Sequence, residues 1–178
     1  MSHFAKRTTQ VVQGEFHVSN SADEELSTIL GSCVSACIWD EGRAIGGMNH
    51  FLLARSQGNS REPDNRYGAH SMEMLINGLL RAGARREALR AKLFGGAKIA
   101  ANLRDIGASN AEFARGFLRT EGIPCIAESL GGNQARRVTF HPVTGRARQL
   151  LIPNDQVDET PLRKPAPKPA PATSIELF

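Results

Sequence analysis

The sequence predicts a single mixed α/β domain, and three observations favour this fold class. A chain of 178 residues with 40% hydrophobic and 22% charged residues is sufficient for one packed core. Two patterns of helical periodicity interrupt a series of short apolar runs that are typical of strands. The strand-like runs group before the first helix and after the second. This order favours a mixed sheet over a strictly alternating parallel one.

The N-terminal part predicts strands only. Residues 8–18 indicate one strand or a pair of short strands, and residues 26–30 indicate another. Two further apolar runs, 34–39 and 44–53, flank Asp40-Glu41-Gly42-Arg43, which has the composition of a tight turn. We therefore expect a β-hairpin here.

Two amphipathic helices are predicted in the middle of the chain. The first is capped by Ser71 and ends near Gly83. Its apolar face carries Met72, Leu75, Ile76, Leu79 and Leu80. The second begins at the capping box Ser109-Asn110-Ala111-Glu112 and ends at Gly122. The remaining strands are expected over residues 91–97, 123–130, 136–140 and 146–152.

Two segments have compositions that do not predict a core. Residues 54–67 form a polar loop, which is either a lid beside a site or an insertion. Residues 161–171 form a Pro/Ala/Lys tract that cannot pack. We therefore expect a folded domain over residues 1–155 and a disordered tail over residues 156–178. The end of that tail, 174–178, is apolar enough to be a docking peptide instead.

Composition argues against several classes of function. The net charge is +4, but aromatic residues make up only 6% and do not alternate with basic ones, so nucleic-acid binding is not favoured. No apolar run approaches the roughly 20 residues of a membrane span, and no apolar signal region follows the first residues. A cytoplasmic protein without membrane insertion is therefore expected. Three cysteines without Cys-x-x-Cys spacing favour neither a disulfide framework nor a zinc site.

The predicted hairpin places a thiol beside an imidazole. If Asp40 pairs with Arg43, then Cys33 lies directly opposite His50, with Cβ atoms roughly 4.5–5.5 Å apart. A thiol next to an imidazole is the minimum requirement for a cysteine nucleophile. Two alternatives remain at this point. Cys33 is also a residue type that packs as a small hydrophobe, and a one-residue bulge at Gly46-Gly47 would turn His50 to the opposite face.

The most specific sequence blocks of the chain are Leu30-Gly31-Ser32-Cys33-Val34 and Ile45-Gly46-Gly47-Met48-Asn49-His50-Phe51. Together with several further blocks they resemble the CheD family of chemoreceptor glutamine deamidases. The resemblance runs in unbroken order from about Asn20 to Leu151 and leaves out the Pro-rich tail. The further matching blocks are Arg66-Tyr67-Gly68, Met72 to Ile76, Ala91 to Ala97, Ile106 to Asn110, and Gly131-Gly132-Asn133 before Arg136-Arg137-Val138.

The resemblance implies a fold and an activity. The fold is a β-sheet sandwich flanked by helices, of the cysteine-hydrolase type. The activity converts glutamine side chains of methyl-accepting chemotaxis receptors to glutamate through a cysteine thioester, without metal or cofactor. The receptors are the implied partners, and a CheC-type phosphatase is a further one. The alternative is an adaptor that binds these partners without catalysis.

The resemblance also assigns catalytic residues. The nucleophile falls on Cys33 and the histidine on His50. The third, hydroxyl-bearing residue precedes the cysteine by six positions, which is Ser27, and Thr28 beside it is the alternative. In this chemistry His50 takes the thiol proton and later gives a proton to the departing ammonia, while the third residue holds the other imidazole nitrogen. The backbone N–H of Cys33 is the expected oxyanion donor.

Overall fold

The computed structural model describes residues 5–55, 63–100, 105–157 and 175–178. These residues form twelve strands and two α-helices, together with two short 3₁₀ turns. In chain order the elements are β1 (Arg7–Gln10), β2 (Phe16–Ser19), β3 (Glu24–Leu30), β4 (Val34–Asp40), β5 (Ile45–Asn49), β6 (Ala54–Arg55), β7 (Pro63–Asp64), α1 (Arg66–Arg81), β8 (Arg90–Gly95), α2 (Ile106–Glu121), β9 (Cys125–Leu130), β10 (Ala135–Phe140), β11 (Ala147–Ile152) and β12 (Ile175–Leu177).

Ten of these strands form two five-stranded sheets. Sheet A has the order β1-β3-β10-β11-β12, and sheet B has the order β2-β5-β4-β8-β9. Each sheet is mixed, because β1 runs parallel to β3 and β8 runs parallel to β9 while the other pairs are antiparallel. The predicted mixed α/β class is therefore confirmed.

The two sheets pack face to face over an apolar core. Alternate residues of each strand point into it, as the two-residue period of a strand requires. Trp39 of sheet B, for example, lies with its ring centroid 6.1 Å from that of Phe140 of sheet A. The other buried apolar residues of this layer are Val11, Leu26, Leu30, Cys37, Met48, Phe94, Val138 and Ala147.

Both helices pack on the opposite face of sheet B. The buried residues of α1 include Met72, Leu75, Ile76 and Leu79, which confirms the predicted apolar face. The helix begins at Arg66, however, so Ser71 lies within it and is not its cap. The Ser71 hydroxyl instead accepts a hydrogen bond from the Asn49 amide at 3.2 Å.

The second helix also begins earlier than predicted. It starts at Ile106, because the carboxylate of Asp105 accepts a hydrogen bond from the Ala108 N–H at 2.9 Å and caps the helix there. The predicted capping box at Ser109 is therefore wrong. The predicted end is confirmed, since Gly122 takes the left-handed conformation with φ of 70°.

The β4–β5 hairpin differs from the predicted register by two residues. Asp40 pairs with Ile45 and Trp39 with Gly46, so Cys33 is not directly opposite His50, and that prediction is wrong. The loop is two residues wider than predicted because Asp40 pairs in the ladder with Ile45, and the Asp40 carboxylate binds inside the turn and to the segment that follows the C-terminus of α1. It accepts hydrogen bonds from the Arg43 N–H at 3.2 Å and from the guanidinium of Arg85.

A register change of two residues keeps every side chain on its predicted face. The pairing runs without a shift along β5, so the alternative of a bulge at Gly46-Gly47 is excluded. His50 and Cys33 therefore remain on the same face of sheet B, the one that packs against sheet A.

The last described residues add an edge strand to sheet A. β12 pairs antiparallel with β11, and the Phe178 ring packs against Phe94 with centroids 5.3 Å apart. The buried ammonium of Lys92 donates to the main-chain oxygens of Phe178, at 2.6 Å, and Gly145, at 2.8 Å. Of the two alternatives for the end of the chain, the structure has the docked peptide.

Two predicted segments lie largely outside the described residues. Residues 161–171 and the centre of the polar loop, 56–62, are among them, so the domain boundary at 155 stays a prediction. The flanks of the polar loop are described, and there β6 pairs with β7. None of the helices in the described part of the chain is long and apolar enough to cross a membrane.

Candidate active site

His50 follows β5 directly and is fixed by its own backbone. Its N–H donates to the Glu15 carbonyl at 3.1 Å, and its carbonyl accepts from the Gly14 N–H at 2.8 Å. Residues 11–15, which connect β1 to β2, thus run alongside it; we call them the Val11–Glu15 loop. The His50 side chain is only 7% exposed and points between the two sheets. The backbone contacts therefore set the position of the imidazole.

Thr28 is the hydroxyl residue that meets His50. Its Oγ1 lies 2.8 Å from His50 Nδ1. Ser27, the other predicted candidate, is the next residue of β3, and neighbouring residues of a strand face opposite sides of the sheet. Its hydroxyl donates to the Val138 carbonyl at 3.1 Å and does not reach the imidazole. The structure thus brings Thr28 and His50 together and leaves Ser27 on the far side of sheet A.

The hydrogen bonds around Thr28 determine which imidazole nitrogen carries the proton. The Thr28 hydroxyl lies 2.6 Å from the Val11 carbonyl, which can only accept, so the hydroxyl donates there. Its oxygen is then the acceptor for His50 Nδ1–H, and Val11 O also lies 3.4 Å from Nδ1. Nδ1 is therefore protonated in the neutral ring. The other nitrogen, Nε2, is left unprotonated and able to accept a proton.

Burial keeps this imidazole neutral. Desolvation of the ring lowers the pKa of His50 from 6.5 to about 4, and the hydrogen bond to Val11 opposes this change only partly. At neutral pH the ring is therefore a free base. A neutral histidine whose Nδ1–H is held by a second group is the form that general-base catalysis requires.

Cys33 lies in the bend between β3 and β4 and packs against the core between the sheets. Its neighbour Val34 exchanges two backbone hydrogen bonds with Phe51, at 3.0 and 2.9 Å. Cys33 and His50 are therefore diagonal neighbours across this pair, at a separation that is typically about 7–8 Å between Cα atoms and less between side chains. The thiol and the imidazole share one face of the hairpin.

Two glycines allow the chain to approach the Cys33 bend closely. The N–H of Gly96 donates to the Cys33 carbonyl at 2.8 Å. A Cβ on Gly95, whose φ is 111°, would lie 2.1 Å from the same carbonyl oxygen. Any side chain at Gly95 would thus displace the bend that carries the thiol.

Asn110 connects the Cys33 bend to the chain that follows His50. It is fully buried near the start of α2. Its amide donates to the Ser32 carbonyl at 2.8 Å, and its amide oxygen accepts from the Leu53 N–H at 3.0 Å. One side chain therefore holds both segments that carry the predicted catalytic pair.

The other two cysteines are in environments that disfavour a thiolate. Cys37 is fully buried in the core, and burial raises its pKa to about 12. Cys125 lies at the start of β9, where burial also raises its pKa, and its thiol donates to the Ala127 carbonyl at 3.3 Å. Cys37 also faces sheet A, but it pairs with Met48 further along the hairpin, whereas Cys33 is the diagonal neighbour of His50.

Sequence reasoning missed three residues of this site. Val11 and Gln13 lie in the Val11–Glu15 loop, and no local pattern indicates that this loop returns to His50 thirty-five residues or more later in the chain. Asn110 was read as part of a capping box. A signal did exist for Asn110, because an asparagine within the first turns of a helix pattern is costly unless its amide has partners.

Within the described ranges, no group of three or more His, Cys, Asp or Glu residues is placed to hold a metal ion. The backbone N–H of Cys33 as an oxyanion donor stays a prediction. So do the catalytic roles of Cys33, His50, Thr28 and Ser27, which rest on the geometry above.

Comparison with known proteins identifies the family. The model of the family described as "CheD chemotactic sensory transduction" matches residues 52–149. A relative named "Probable chemoreceptor glutamine deamidase CheD" from Caulobacter vibrioides (strain NA1000 / CB15N) is 52% identical and covers 94% of this chain and 91% of its own. A protein of the same name from Agrobacterium fabrum (strain C58 / ATCC 33970) is 46% identical over the full length of both chains.

Among solved structures, the Bacillus licheniformis protein YfiH is similar at 15% identity with a TM-score of 0.44. The similarity covers 70% of this chain and 59% of that one. The family model spans more than half of the chain, and the two relatives align over nearly all of it. The chain belongs to the CheD family.

Proposed function

We propose that this protein is a chemoreceptor glutamine deamidase that hydrolyses receptor glutamine side chains to glutamate, with Cys33 as the nucleophile. The observation that carries the proposal is the pair formed by Thr28 and His50, with Nδ1 held at 2.8 Å and Nε2 left unprotonated on the face that carries Cys33. The names of the two relatives support the choice of substrate.

The first half of the reaction forms a thioester. His50 Nε2 accepts the Cys33 thiol proton while the sulfur attacks the carboxamide carbon of the receptor glutamine. Because burial disfavours the imidazolium, the proton moves as the C–S bond forms. The tetrahedral oxyanion then collapses, the C–N bond breaks, and the imidazolium gives its proton to the leaving ammonia.

The second half releases glutamate. Ammonia departs and water takes its place, and His50 Nε2 removes a proton from the water as its oxygen attacks the thioester carbon. The C–S bond breaks and the imidazolium returns the proton to sulfur, so the thiol is regenerated and the new carboxylic acid ionises to glutamate in water. Throughout, the Thr28 oxygen holds Nδ1–H and stabilises the positive ring that forms in each half.

The proposal extends to location and partners. None of the three cysteines is in a disulfide, which agrees with the reducing cytoplasm. We place the protein there. A partner of the CheC phosphatase type stays a prediction, and its test is co-purification with wild-type protein and with the Cys33→Ala variant.

The decisive experiment compares two cysteine variants on a purified receptor cytoplasmic fragment. Wild-type protein and Cys125→Ala, which alters the exposed thiol of β9, are expected to release ammonia and to convert receptor glutamine to glutamate, as read by peptide mass spectrometry. Cys33→Ala is expected to do neither while keeping its circular dichroism spectrum. Deamidation by Cys33→Ala would exclude this nucleophile. Restoration of chemotaxis by the same variant would instead favour the adaptor.

A further inference from the structure

The thiol of Cys33 has a glutamine of its own protein as a neighbour. The Cys33 Sγ donates to Gln13 Oε1 at 3.8 Å, a distance within the range of a sulfur hydrogen bond. Gln13 belongs to the Val11–Glu15 loop and is exposed. Its side chain ends in a primary carboxamide, the group that the proposed reaction hydrolyses.

The loop holds Gln13 in this place through its backbone. The Val11 N–H donates to the Ser27 carbonyl at 2.8 Å, and the Gly14 N–H donates to the His50 carbonyl, also at 2.8 Å. Gly14 closes the turn with φ of 88°, a conformation that other residues rarely adopt. Position 13 is thus fixed beside the histidine, while its exposed side chain can rotate away.

The Gln13 carboxamide is not oriented for attack by the Cys33 sulfur. Attack requires the sulfur to face the carboxamide carbon and the oxygen to face N–H donors. In the structure the Gln13 oxygen faces the thiol proton instead. Gln13 therefore occupies the position of a substrate amide without being placed for attack.

We propose that the Val11–Glu15 loop forms one wall of the carboxamide subsite and that Gln13 occupies this subsite in the free protein. This inference rests on the proposed function and assigns its substrate subsite. The receptor glutamine displaces the Gln13 side chain when it binds. An intramolecular competitor lowers the apparent affinity for substrate by the fraction of time that it occupies the site.

Iodoacetamide is a suitable probe, because it carries a primary carboxamide and alkylates thiols whether or not deamidation occurs. The Cys33 alkylation rate would be measured by peptide mass in the wild type, Gln13→Ala and Gln13→Met. The Met variant keeps the bulk and removes the amide. Both variants are expected to react about 3- to 10-fold faster at Cys33, as the subsite becomes free.

Two controls make the result specific. Gln10→Met changes an exposed glutamine of β1 outside the loop and is expected to leave the Cys33 rate unchanged. The alkylation rate of Cys125 in every variant reports whether the fold is intact. Unchanged or slower reaction of Cys33 in Gln13→Met would overturn the proposal. Acceleration in Gln13→Ala alone would show that bulk and not amide recognition is responsible, and would overturn it as well.

Receptor deamidation separates this inference from the proposed function. Gln13→Met is expected to lower the KM for the receptor fragment. A wild-type protein that alkylates as expected but releases no ammonia would contradict the proposed function and leave the occupied subsite standing. The wild-type peptide that contains residue 13 is expected to retain glutamine. Conversion of Gln13 to glutamate in the wild type but not in Cys33→Ala would show that Cys33 attacks Gln13, and would contradict the inference that Gln13 is held in an unreactive orientation.

Discussion

Two hydroxyl residues that are neighbours in sequence have different surroundings in this structure. Thr28 Oγ1 bonds both His50 Nδ1 and the Val11 carbonyl, whereas the Ser27 hydroxyl bonds the Val138 carbonyl. Family spacing favoured Ser27, because counting along the chain carries no information about which side of a strand a residue faces. The alternation of β3 places the Thr28 hydroxyl, and not that of Ser27, against His50.

This difference predicts opposite outcomes for matched variants. Thr28→Val keeps the shape and removes the acceptor for Nδ1–H, and an unsatisfied buried group costs about 1–3 kcal/mol. If that cost falls on the transition state, kcat drops roughly 5- to 150-fold. Thr28→Ser is expected to retain most activity, and Ser27→Ala to stay within about twofold. A loss in Ser27→Ala equal to that in Thr28→Val would contradict the assignment.

At the scale of elements, the sequence predicts which segments form helices and strands, but it predicts the strand register and the first residue of each helix poorly. The apolar face of α1 and the end of α2 at Gly122 follow from local periodicity and from glycine. The hairpin register does not, because the Asp40 carboxylate at the turn is bound by Arg85, a partner far along the chain that no local pattern indicates. The start of α2 at Ile106 was missed because two capping residues, Asp105 and Ser109, compete within five positions.

The same limit applies to the site. Cys33 and His50 were found because both belong to one hairpin, and a two-residue error in register leaves their shared face unchanged. Gln13 and Asn110 reach the site from other elements, through contacts with no local sequence pattern. Long-range hydrogen bonds of this kind become visible only once the chain is folded.

Asn110 carries the coupling between α2 and the two site segments. Asn110→Asp keeps the acceptor for the Leu53 N–H but replaces the donor to the Ser32 carbonyl by a repelling oxygen. We expect a lower kcat and slower Cys33 alkylation, by about tenfold or more for a buried polar mismatch. Glu112→Gln, an exposed change on the same helix, is the control. If Asn110→Asp lowers the melting temperature but leaves the Cys33 alkylation rate unchanged, Asn110 has a purely structural role.

At the scale of the molecule, buried ionisable groups set the response to acid. The folded-state pKa of His50, about 4, lies below its ordinary value of 6.5, so the unfolded chain binds the proton more tightly. Stability is therefore complete above pH 6.5 and declines as the pH falls toward 4, by on the order of 3 kcal/mol.

Two carboxylates determine the loss of stability at lower pH. Burial opposes the ionised form of Glu24, but hydrogen bonds from Ser19, Thr9 and Arg7 lower its pKa to about 2. Hydrogen bonds from Arg85 lower the pKa of Asp40 to about 2. Their contribution is present above their ordinary pKa values and is lost as the pH falls toward 2. The free energy of unfolding, measured with urea across this pH range, is expected to decline in two steps. The His50→Gln variant should lack only the step between pH 6.5 and 4.

The strand at the end of sheet A gives the chain one more property. β12 is held by pairing with β11, by Phe178 against Phe94 and by the Lys92 ammonium, while its covalent link to β11 runs through residues 158–174. A single proteolytic cut in that link would leave every one of these contacts in place. It would nevertheless convert the strand into a separate peptide ligand, whose retention depends on dilution because the effective concentration set by the tether is gone.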